Sequence, residues 1–489
     1  MSNKLKQAAL LLSFLVLMLG LPAAPVMSQD SENLPGFEDE FEDAFDESDS
    51  GTFMEVNIDV SEIEPVVPKE SWFHGYFKEE LSFAYEQEEP YWNKIRSILN
   101  IKLEVSPIEG WDVVAEWNGY YDYAYTLEGR DRFTDETLDE YEQESEIRNF
   151  YFKGQLASWL QLTLGRQIIA WGDSDFFQVT DLVNPRDNRE LALTDIEDAR
   201  IPVSAVKLAF TMGDWELDLV AIPEIRTNKT PPNGSDFDPY LAYRSQGVAV
   251  EDEEIPESAF ENSERLIRLY KTGSGSDMAL VCADVFDDSA HLDLNTSSQG
   301  MTLVSSLIPK HKRIQTCGLS FNLTSGPFIW KFEGARVFNR ANMRNDLVQE
   351  LTNTAINPNY QPQSWTEKNI NQLVLGLDYS GISDLTVTLE VFGEHIEEYE
   401  DNLLTKEDTA MVALQTRYRI WHDTLDFSLL LISLSHNDGT ILRFNTGYDI
   451  IDAVNIGAGF IQYSADDPEA QLYNYRKQDR VFAALKYSF

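Results

Sequence analysis

Three things are scarce in this sequence: cysteine, basic residues and long apolar runs. Two cysteines in 489 residues exclude a disulfide-built scaffold and a cysteine-rich zinc or iron–sulfur site. The 38 Lys and Arg residues face 83 Asp and Glu, a formal net charge of −45, so the chain lacks the basic surface that a nucleic-acid binder needs. After the N-terminus, no segment approaches the ~18 uninterrupted apolar residues of a membrane-spanning helix. Exported soluble proteins and membrane β-barrels remain.

The N-terminus has the composition of a secretory signal peptide. Lys4 and Lys6 form a basic segment, residues 8–21 form an apolar one, and residues 26–28 read VMS, which suits cleavage. We therefore predict a signal peptide over residues 1–28, with an uncleaved membrane anchor as the alternative.

The following residues, 29–70, hold fifteen Asp and Glu against one Lys. Such a composition cannot bury enough apolar surface to fold alone, so we predict an acidic, disordered periplasmic tail. Phe37, Phe41 and Phe45 recur every four residues and would share one face of a helix. Two interpretations stay open: a solvated tail, or a short motif within residues 29–65 that folds onto a periplasmic partner.

From residue 71 to the C-terminus, apolar and polar residues alternate. Residues 385–391, for example, read LTVTLEV, the pattern of a strand with one apolar and one polar face. Eighteen such segments are found, with sixteen as the alternative count. They lie near residues 72–86, 93–105, 111–125, 146–156, 159–168, 203–211, 214–223, 264–273, 276–286, 312–324, 327–338, 369–380, 384–396, 408–420, 424–435, 440–449, 453–464 and 479–489.

The connections between these segments alternate in length. Those after even-numbered segments are short and turn-like, whereas most after odd-numbered segments are long, including 126–145, 169–202, 224–263, 287–311 and 339–368. Short periplasmic turns and long extracellular loops produce this alternation, and a sheet in a bilayer must close because it has no water to satisfy its edges. We therefore predict an all-β fold: a transmembrane antiparallel β-barrel over residues 71–489, in a bacterial outer membrane and in contact with lipopolysaccharide.

The chain ends in Tyr487, Ser488 and Phe489 on an alternating strand. This ending resembles the signal by which the assembly machinery recognises outer-membrane barrels. Tyr487 and Phe489 are therefore predicted to act in assembly, with that machinery as a partner.

If the apolar faces contact lipid, the polar faces line the lumen. Their charges have two open interpretations: a ladder of salt bridges that holds the wall, or an arginine-lined constriction that selects anionic solutes. The second rests on Arg417, Arg419, Arg443 and Arg480, which lie on neighbouring C-terminal strands. The other lumen charges are Lys78, Arg96, Lys102, Lys153, Lys207, Arg268, Lys331 and Lys486, with Glu80, Glu104, Glu116, Glu216, Asp218, Glu333, Asp378, Glu390 and Asp426.

The two cysteines fall on the ninth and tenth segments. If the hairpin is centred in 287–311, Cys282 and Cys317 are cross-strand neighbours near the extracellular rim. A disulfide is allowed in that compartment, although a register slip of one residue would place the two side chains on opposite faces.

One motif carries family information. Residues 165–173 read GRQIIAWGD, and residues 183–187 read VNPRD. This combination, GRQ…WG(D/E)…NP.D, resembles a domain-of-unknown-function family of Gram-negative outer-membrane β-barrels. Asp173 stands where Glu is commoner in that family. The resemblance implies a barrel that is often encoded beside RND-type inner-membrane transporters, so an RND-type partner for residues 29–65 is an expectation.

The same motif predicts a loop, residues 169–202, that folds into the barrel mouth. Trp171 is expected to anchor at a membrane interface, and Arg166 to pair with Asp173 or Asp187. The loop is either a structural plug or a constriction that contacts the solute. Direct solute contact would involve Arg166, Asp173, Arg186 and Asp187.

Function is predicted from these features together. The six histidines are scattered without ligand or triad spacing, so we predict no enzymatic activity, no metal site and no cofactor. The predicted function is a porin- or channel-like barrel that passes a small or amphiphilic solute, either by itself or as the outer-membrane component of an export system. The alternative is a structural or partner-docking barrel with a closed lumen, acting through its acidic tail.

Overall fold

The computed structural model describes residues 72–489, apart from 194–195, 300–301, 348–349, 351–352, 354–355, 358–359 and 361. The predicted signal peptide and acidic tail lie outside the described residues. Among the described residues, no helix is long and apolar enough to cross a bilayer.

Eighteen antiparallel strands form one closed sheet, because β1 pairs with β2 on one side and with the last strand, β21, on the other. The predicted transmembrane barrel of eighteen strands is confirmed. Its strands are β1 Phe73–Ala84, β2 Tyr91–Ile108, β3 Trp111–Asp122, β4 Gln143–Ala157, β5 Leu160–Gln167, β6 Val203–Met212, β7 Trp215–Ile222, β9 Glu264–Thr272, β10 Ser276–Phe286, β13 Arg313–Ser325, β14 Phe328–Met343, β15 Trp365–Ile382, β16 Leu385–Ile396, β17 Asp408–Ile420, β18 Leu425–Leu434, β19 Gly439–Ile451, β20 Val454–Ser464 and β21 Arg480–Ser488.

The outer surface of the barrel is apolar because alternate side chains of each strand point outward. Leu280, Phe321, Leu375 and Leu414 are among the large apolar residues exposed on this face. A contiguous apolar surface of this extent in a closed barrel is the band that contacts lipid tails. The short turns lie at one rim, where Gly110 takes the positive φ of 77° that an ordinary residue rarely adopts.

The long connections at the other rim contain structure that the alternation pattern did not reveal. We expected a loop over 287–311, but the chain forms a hairpin of β11 His291–Gln299 and β12 Thr302–Lys310. The two-residue strand β8 Ala249–Val250 pairs in parallel with β12. Residues 291–294 already alternate, and a strand outside the barrel obeys the same period of two. The helices whose bounds the structure describes are short: α1 Ala124–Glu128, α2 Asp135–Tyr141, α3 Ile196–Ala199 and α4 Leu241–Ser245, with 3-10 turns at Arg130–Arg132, Phe260–Asn262, Ser435–Asn437 and Tyr473–Tyr475.

Cys282 and Cys317 occupy opposite positions in the register of β10 and β13, with their Cα atoms 4.2 Å apart, and a disulfide joins them. Both residues lie on the outward face with Leu280 and Leu319. The bond therefore links the two barrel strands that flank the β11–β12 hairpin.

The C-terminus closes the barrel against β1. Tyr487 is opposite Phe77, and Phe489 exchanges two backbone hydrogen bonds of 3.0 Å with Gly75. The Phe489 ring stacks on Phe73 with 5.5 Å between ring centroids. The residues predicted to act in assembly thus lie at the seam, and their recognition by the assembly machinery stays a prediction.

Candidate functional site

The lumen is crossed by the connection between β5 and β6, which we name the inward loop (residues 168–202, described except for 194–195). Its first half reaches β14 and β16. Counted around the closed sheet, β16 is eight strands from β5, almost the opposite wall. Its second half returns to β2. The loop therefore divides the lumen.

Glu333 of β14 holds the first half of the inward loop. Its side chain is 1% exposed, and one carboxylate oxygen accepts hydrogen bonds of 2.6 Å from the backbone N–H groups of Asp173 and Ser174. The other oxygen accepts from the backbone N–H of Thr180 at 3.0 Å and from its hydroxyl at 2.8 Å. A carboxylate that accepts four hydrogen bonds satisfies the lone pairs that burial would otherwise leave unpaired.

Glu390 of β16 is a second anchor for the same segment. It is fully buried and accepts hydrogen bonds from the Ser174 hydroxyl at 2.6 Å and from the backbone N–H groups of Asp175 at 2.9 Å and Phe176 at 3.2 Å. Lys331 lies beside it, with its ammonium 2.6 Å from the Asp175 carboxylate. We name residues 173–180 with their two wall carboxylates the clamp.

Asp181 organises the interior of the inward loop. It is 2% exposed and accepts from the Trp171 backbone N–H at 3.2 Å, from Arg200 at 2.8 Å and from Arg186 at 3.3 Å. Burial lowers the pKa of the Arg186 guanidinium more than its pairing with Asp181 raises it. Because Arg186 and Asp181 form an ion pair with each other, both side chains stabilise the folded loop.

An apolar core occupies part of the lumen on the side of the inward loop that faces β6 to β16. Trp171 is 2% exposed and packs in this core with Val183 and with inward-facing wall residues such as Val220, Val281 and Ile370. The expectation that Trp171 anchors at a membrane interface is therefore wrong. Because the wall is apolar on both faces here, burial in the lumen gives the indole ring more contact than the interface would.

The second half of the inward loop is fixed by charges and backbone contacts. Glu190 lies 2.5 Å from Lys94 and 3.4 Å from Arg96, both on β2. Burial alone would raise the pKa of the Glu190 carboxyl, but the two cations outweigh it and hold that pKa well below its ordinary value. Arg189 pairs with Asp187 at 2.6 Å, so ion pairs hold this half of the loop.

The remaining side of the lumen holds a polar cavity of about 490 Å³ between the inward loop and the walls β1 to β4 and β21. Seven basic and seven acidic side chains line it. Most of them are paired, as Lys78 is with Glu80 at 2.5 Å. Arg148 and Asp198 have no ion-pair partner among the described residues, and Glu116 accepts only from the amides of Asn100 and Asn149.

The four arginines of the predicted constriction lie in two different environments. Arg443 is buried and donates to the backbone carbonyls of Ala192 and Leu193 at 2.9 and 3.0 Å. Arg480 is buried and pairs with Asp236 at 3.1 Å. Arg417 and Arg419 are exposed on the lumen side near the turn between β17 and β18. Arg443 and Arg480 therefore hold loops, while solute selection by these arginines stays a prediction.

Arg166 does not pair with Asp173 or Asp187, as the sequence suggested. It is the last but one residue of β5 and lies on the outward face, opposite Ser204, with its guanidinium 2.7 Å from Glu224. The alternation of β5 explains this, because Thr163 and Gln167 take the buried lumen positions and Arg166 must point the other way. The backbone N–H of Asp173 belongs to the clamp.

Sequence reasoning placed Glu333 and Glu390 on the lumen face but missed their role, and it missed Asp181 entirely. The sequence did contain a chemical indication of their role. A single acid within a strand as apolar as residues 387–392, VTLEVF, needs hydrogen-bond donors when its side chain is buried in a filled lumen. Which donors supply those hydrogen bonds depends on the fold.

Comparison with known proteins gives a family and a likeness of fold. A family model described as a protein of unknown function (DUF1302) matches residues 83–489. No curated protein matches the sequence significantly. Among solved structures, Acinetobacter baumannii OccAB1 is similar with a TM-score of 0.49 and 8% identity, over 85% of this chain and 96% of that chain. Pseudomonas aeruginosa OccK8 (OprE) is similar with a TM-score of 0.48 and 9% identity, over 86% of this chain and 98% of that chain.

Proposed function

The chain belongs to the DUF1302 family, whose function is unknown, and we propose from its own geometry that it is an outer-membrane channel for small polar solutes. The observation that carries the proposal is the polar cavity of about 490 Å³ beside the inward loop. Its place in the outer membrane is supported by the apolar outward face of a closed antiparallel barrel, the form in which strands cross a bilayer.

The route through the barrel follows from what fills the rest of the lumen. An eighteen-stranded barrel is wide enough for a water-filled interior, but the apolar core around Trp171 occupies the side of β6 to β16. Water and polar solutes are excluded from such a core because their hydrogen bonds would be lost. The path therefore runs between the inward loop and the polar faces of β1 to β4.

The charges along this path point to selection by size and hydrogen bonding more than by net charge. The equal numbers of acidic and basic groups lining the cavity make the local field alternate in sign, so neither cations nor anions gain a uniform advantage. The groups offered to a solute are the three without an ion-pair partner among the described residues, Arg148, Asp198 and Glu116.

A closed barrel that docks a partner is the second candidate, and the clamp favours it. A loop held by two buried carboxylates and an apolar core obstructs the lumen as a plug does. In this case the acidic segment within residues 29–65, outside the described residues, is the functional part. We propose that its partner is a periplasmic or RND-type transporter component, which would make the barrel the outer-membrane part of an export system.

Planar-bilayer conductance separates the two candidates. The channel proposal predicts discrete current steps from the purified barrel and a reversal potential near zero in a salt gradient. Arg148→Ala is expected to shift that potential toward cation preference and Asp198→Ala toward anion preference, because each removes one unpaired charge. Arg132→Ala, at an exposed arginine outside the cavity, is the matched control.

A barrel that inserts into the bilayer without conducting would refute the channel proposal. The docking proposal is tested by deleting residues 29–65 and comparing the envelope proteins that co-purify with the full chain. An unchanged set of co-purifying proteins would refute docking through the tail.

A further inference from the structure

A second cavity, of about 500 Å³, lies on the other side of the inward loop. It is bounded by Phe176 and Phe177 of the clamp and by the walls of β14 to β18, toward the rim with the long loops. This volume falls within the range of small-molecule binding sites, roughly 300–1,000 Å³. We propose that it binds an uncharged amphiphile that carries an aromatic ring.

The apolar part of the cavity is aromatic and thioether-rich. Phe177 and Phe392 stack with 5.3 Å between ring centroids, and Phe176, Met343 and Met411 complete the surface. Phe176 and Met411 are only partly buried, so they have free surface to offer. Aromatic rings and methionine sulfur favour an aromatic ligand through stacking and sulfur–ring contacts beyond simple area burial.

The charged groups of the cavity are already paired within the protein. Arg340 lies 3.1 Å from Asp287 and 3.3 Å from Glu394, and Asp438 lies 3.3 Å from Lys406. A charged ligand would have to break one of these pairs or lose its own hydration without compensation. An uncharged ligand meets neither cost.

Neutral hydrogen-bonding groups make up the rest of the lining. Thr405 and Gln471 lie in connections between barrel strands and Thr409 is the second residue of β17, so these hydroxyl and amide groups line the cavity toward the rim, whereas Phe392 lies within β16. A ligand with an aromatic ring at one end and hydroxyl groups at the other therefore matches the cavity along its length. The site does not depend on whether the barrel conducts, because it is a property of the folded lumen alone.

Binding of three water-soluble glycosides to the full-length barrel in lipid nanodiscs tests this proposal by calorimetry. The probes are 4-nitrophenyl β-D-glucoside, which is neutral and aromatic, 4-nitrophenyl β-D-glucuronide, which has a carboxylate in addition, and methyl β-D-glucoside, which lacks the aromatic ring. Empty nanodiscs correct for partition into lipid. We expect the neutral aryl glucoside to bind at least tenfold more tightly than either of the others.

Two variants locate the binding. Phe176→Ala removes a ring but keeps the backbone N–H that Glu390 accepts, and we expect it to weaken binding roughly tenfold. Phe482→Ala, which removes a partly buried ring from the polar cavity, is the matched control and is expected to leave binding unchanged. Thr409 shares the inward face of β17 with Met411, so Thr409→Trp fills the cavity and is expected to abolish binding even if Phe176→Ala proves unstable.

Three results would overturn the proposal. The first is equal binding of the neutral and anionic aryl glycosides, the second is binding lost in Phe482→Ala but retained in Thr409→Trp, and the third is no heat of binding for any probe. A barrel that binds the aryl glucoside yet conducts no current would leave this site intact and refute the channel alone.

Discussion

Replacing both clamp carboxylates, Glu333→Gln with Glu390→Gln, is expected to free the first half of the inward loop. Glu333 accepts four hydrogen bonds from the loop, whereas a glutamine has a single oxygen that accepts about two. The amide nitrogen of the glutamine is itself a donor, so it cannot accept a hydrogen bond from the N–H groups of the loop that it would face. Each lost bond to a charged acceptor costs about 1.5–3 kcal/mol, so Glu333→Gln alone lowers the free energy of loop release by at least ~3 kcal/mol.

The lost hydrogen bonds lower the free energy of opening the loop and not that of unfolding the barrel, because the strands of the wall keep their backbone hydrogen bonds. A change of ~3 kcal/mol raises the open population more than a hundredfold. Val179, within the clamp, is fully buried, and both native cysteines are in the disulfide. Val179→Cys therefore provides one thiol whose reaction with a maleimide reports opening.

The labelling rate of Val179→Cys is the assay. We expect it to rise at least a hundredfold in the double glutamine variant and to stay unchanged with Glu116→Gln, a lumen carboxylate that accepts from Asn100 and Asn149 rather than from the loop. A labelling rate within twofold of the parent in the double variant would refute the argument that these two carboxylates hold the loop.

Three further predictions concern other contacts. Asp181→Ala leaves Arg186 and Arg200 buried without their partner and is expected to destabilise the inward loop by about 3–5 kcal/mol. Faster hydrogen exchange at the Trp171 amide measures this loss, and Asp198→Ala is the control. Cys282→Ala with Cys317→Ala removes the cross-link over a 35-residue separation and is expected to lower unfolding stability by about 4 kcal/mol. Urea titration against the parent with its disulfide intact measures the loss, and an equal midpoint in urea would contradict it. Burial would lower the pKa of His311, but its hydrogen bonds to Glu253 and to the Asp287 carbonyl outweigh burial and raise that pKa above its ordinary value. Protonated His311 therefore stabilises the fold fully at pH values below about 6.5. This stabilisation is lost as the pH rises through the higher pKa of the folded state. Limited proteolysis near Glu253 is expected to accelerate at alkaline pH, and His311→Gln to remove that dependence.

The strands of the barrel wall were predictable because they depend on patterns between residues that are close in the sequence. A period of two and a regular change of connection length are visible in the sequence alone, and all eighteen barrel strands appear where the alternation placed them. The β11–β12 hairpin was missed because it falls in an expected loop.

The contents of the lumen were predictable only in part. Strands such as β10 carry apolar residues on both faces, with Val281 and Ala283 buried inward while Leu280 faces outward, so a rule that assigns apolar to lipid and polar to lumen fails there. The partner of Arg166 depended on which side of the wall it faced, and the donors to Glu333 and Glu390 depended on how the loop crosses the lumen. These are consequences of tertiary packing that residue spacing does not encode.

The clamp also constrains the order in which this molecule matures. Its donors and acceptors are separated by 153–160 residues for Glu333 and 214–216 for Glu390, so they are long-range contacts. Contacts of such separation form late, since the entropy of closing the intervening chain must be met first. Until β14 and β16 take their places in the wall, the inward loop has no acceptors for its amides, and the unfinished barrel keeps an unobstructed interior. Obstruction of the lumen is thus a late event of biogenesis, coupled to completion of the second half of the sheet.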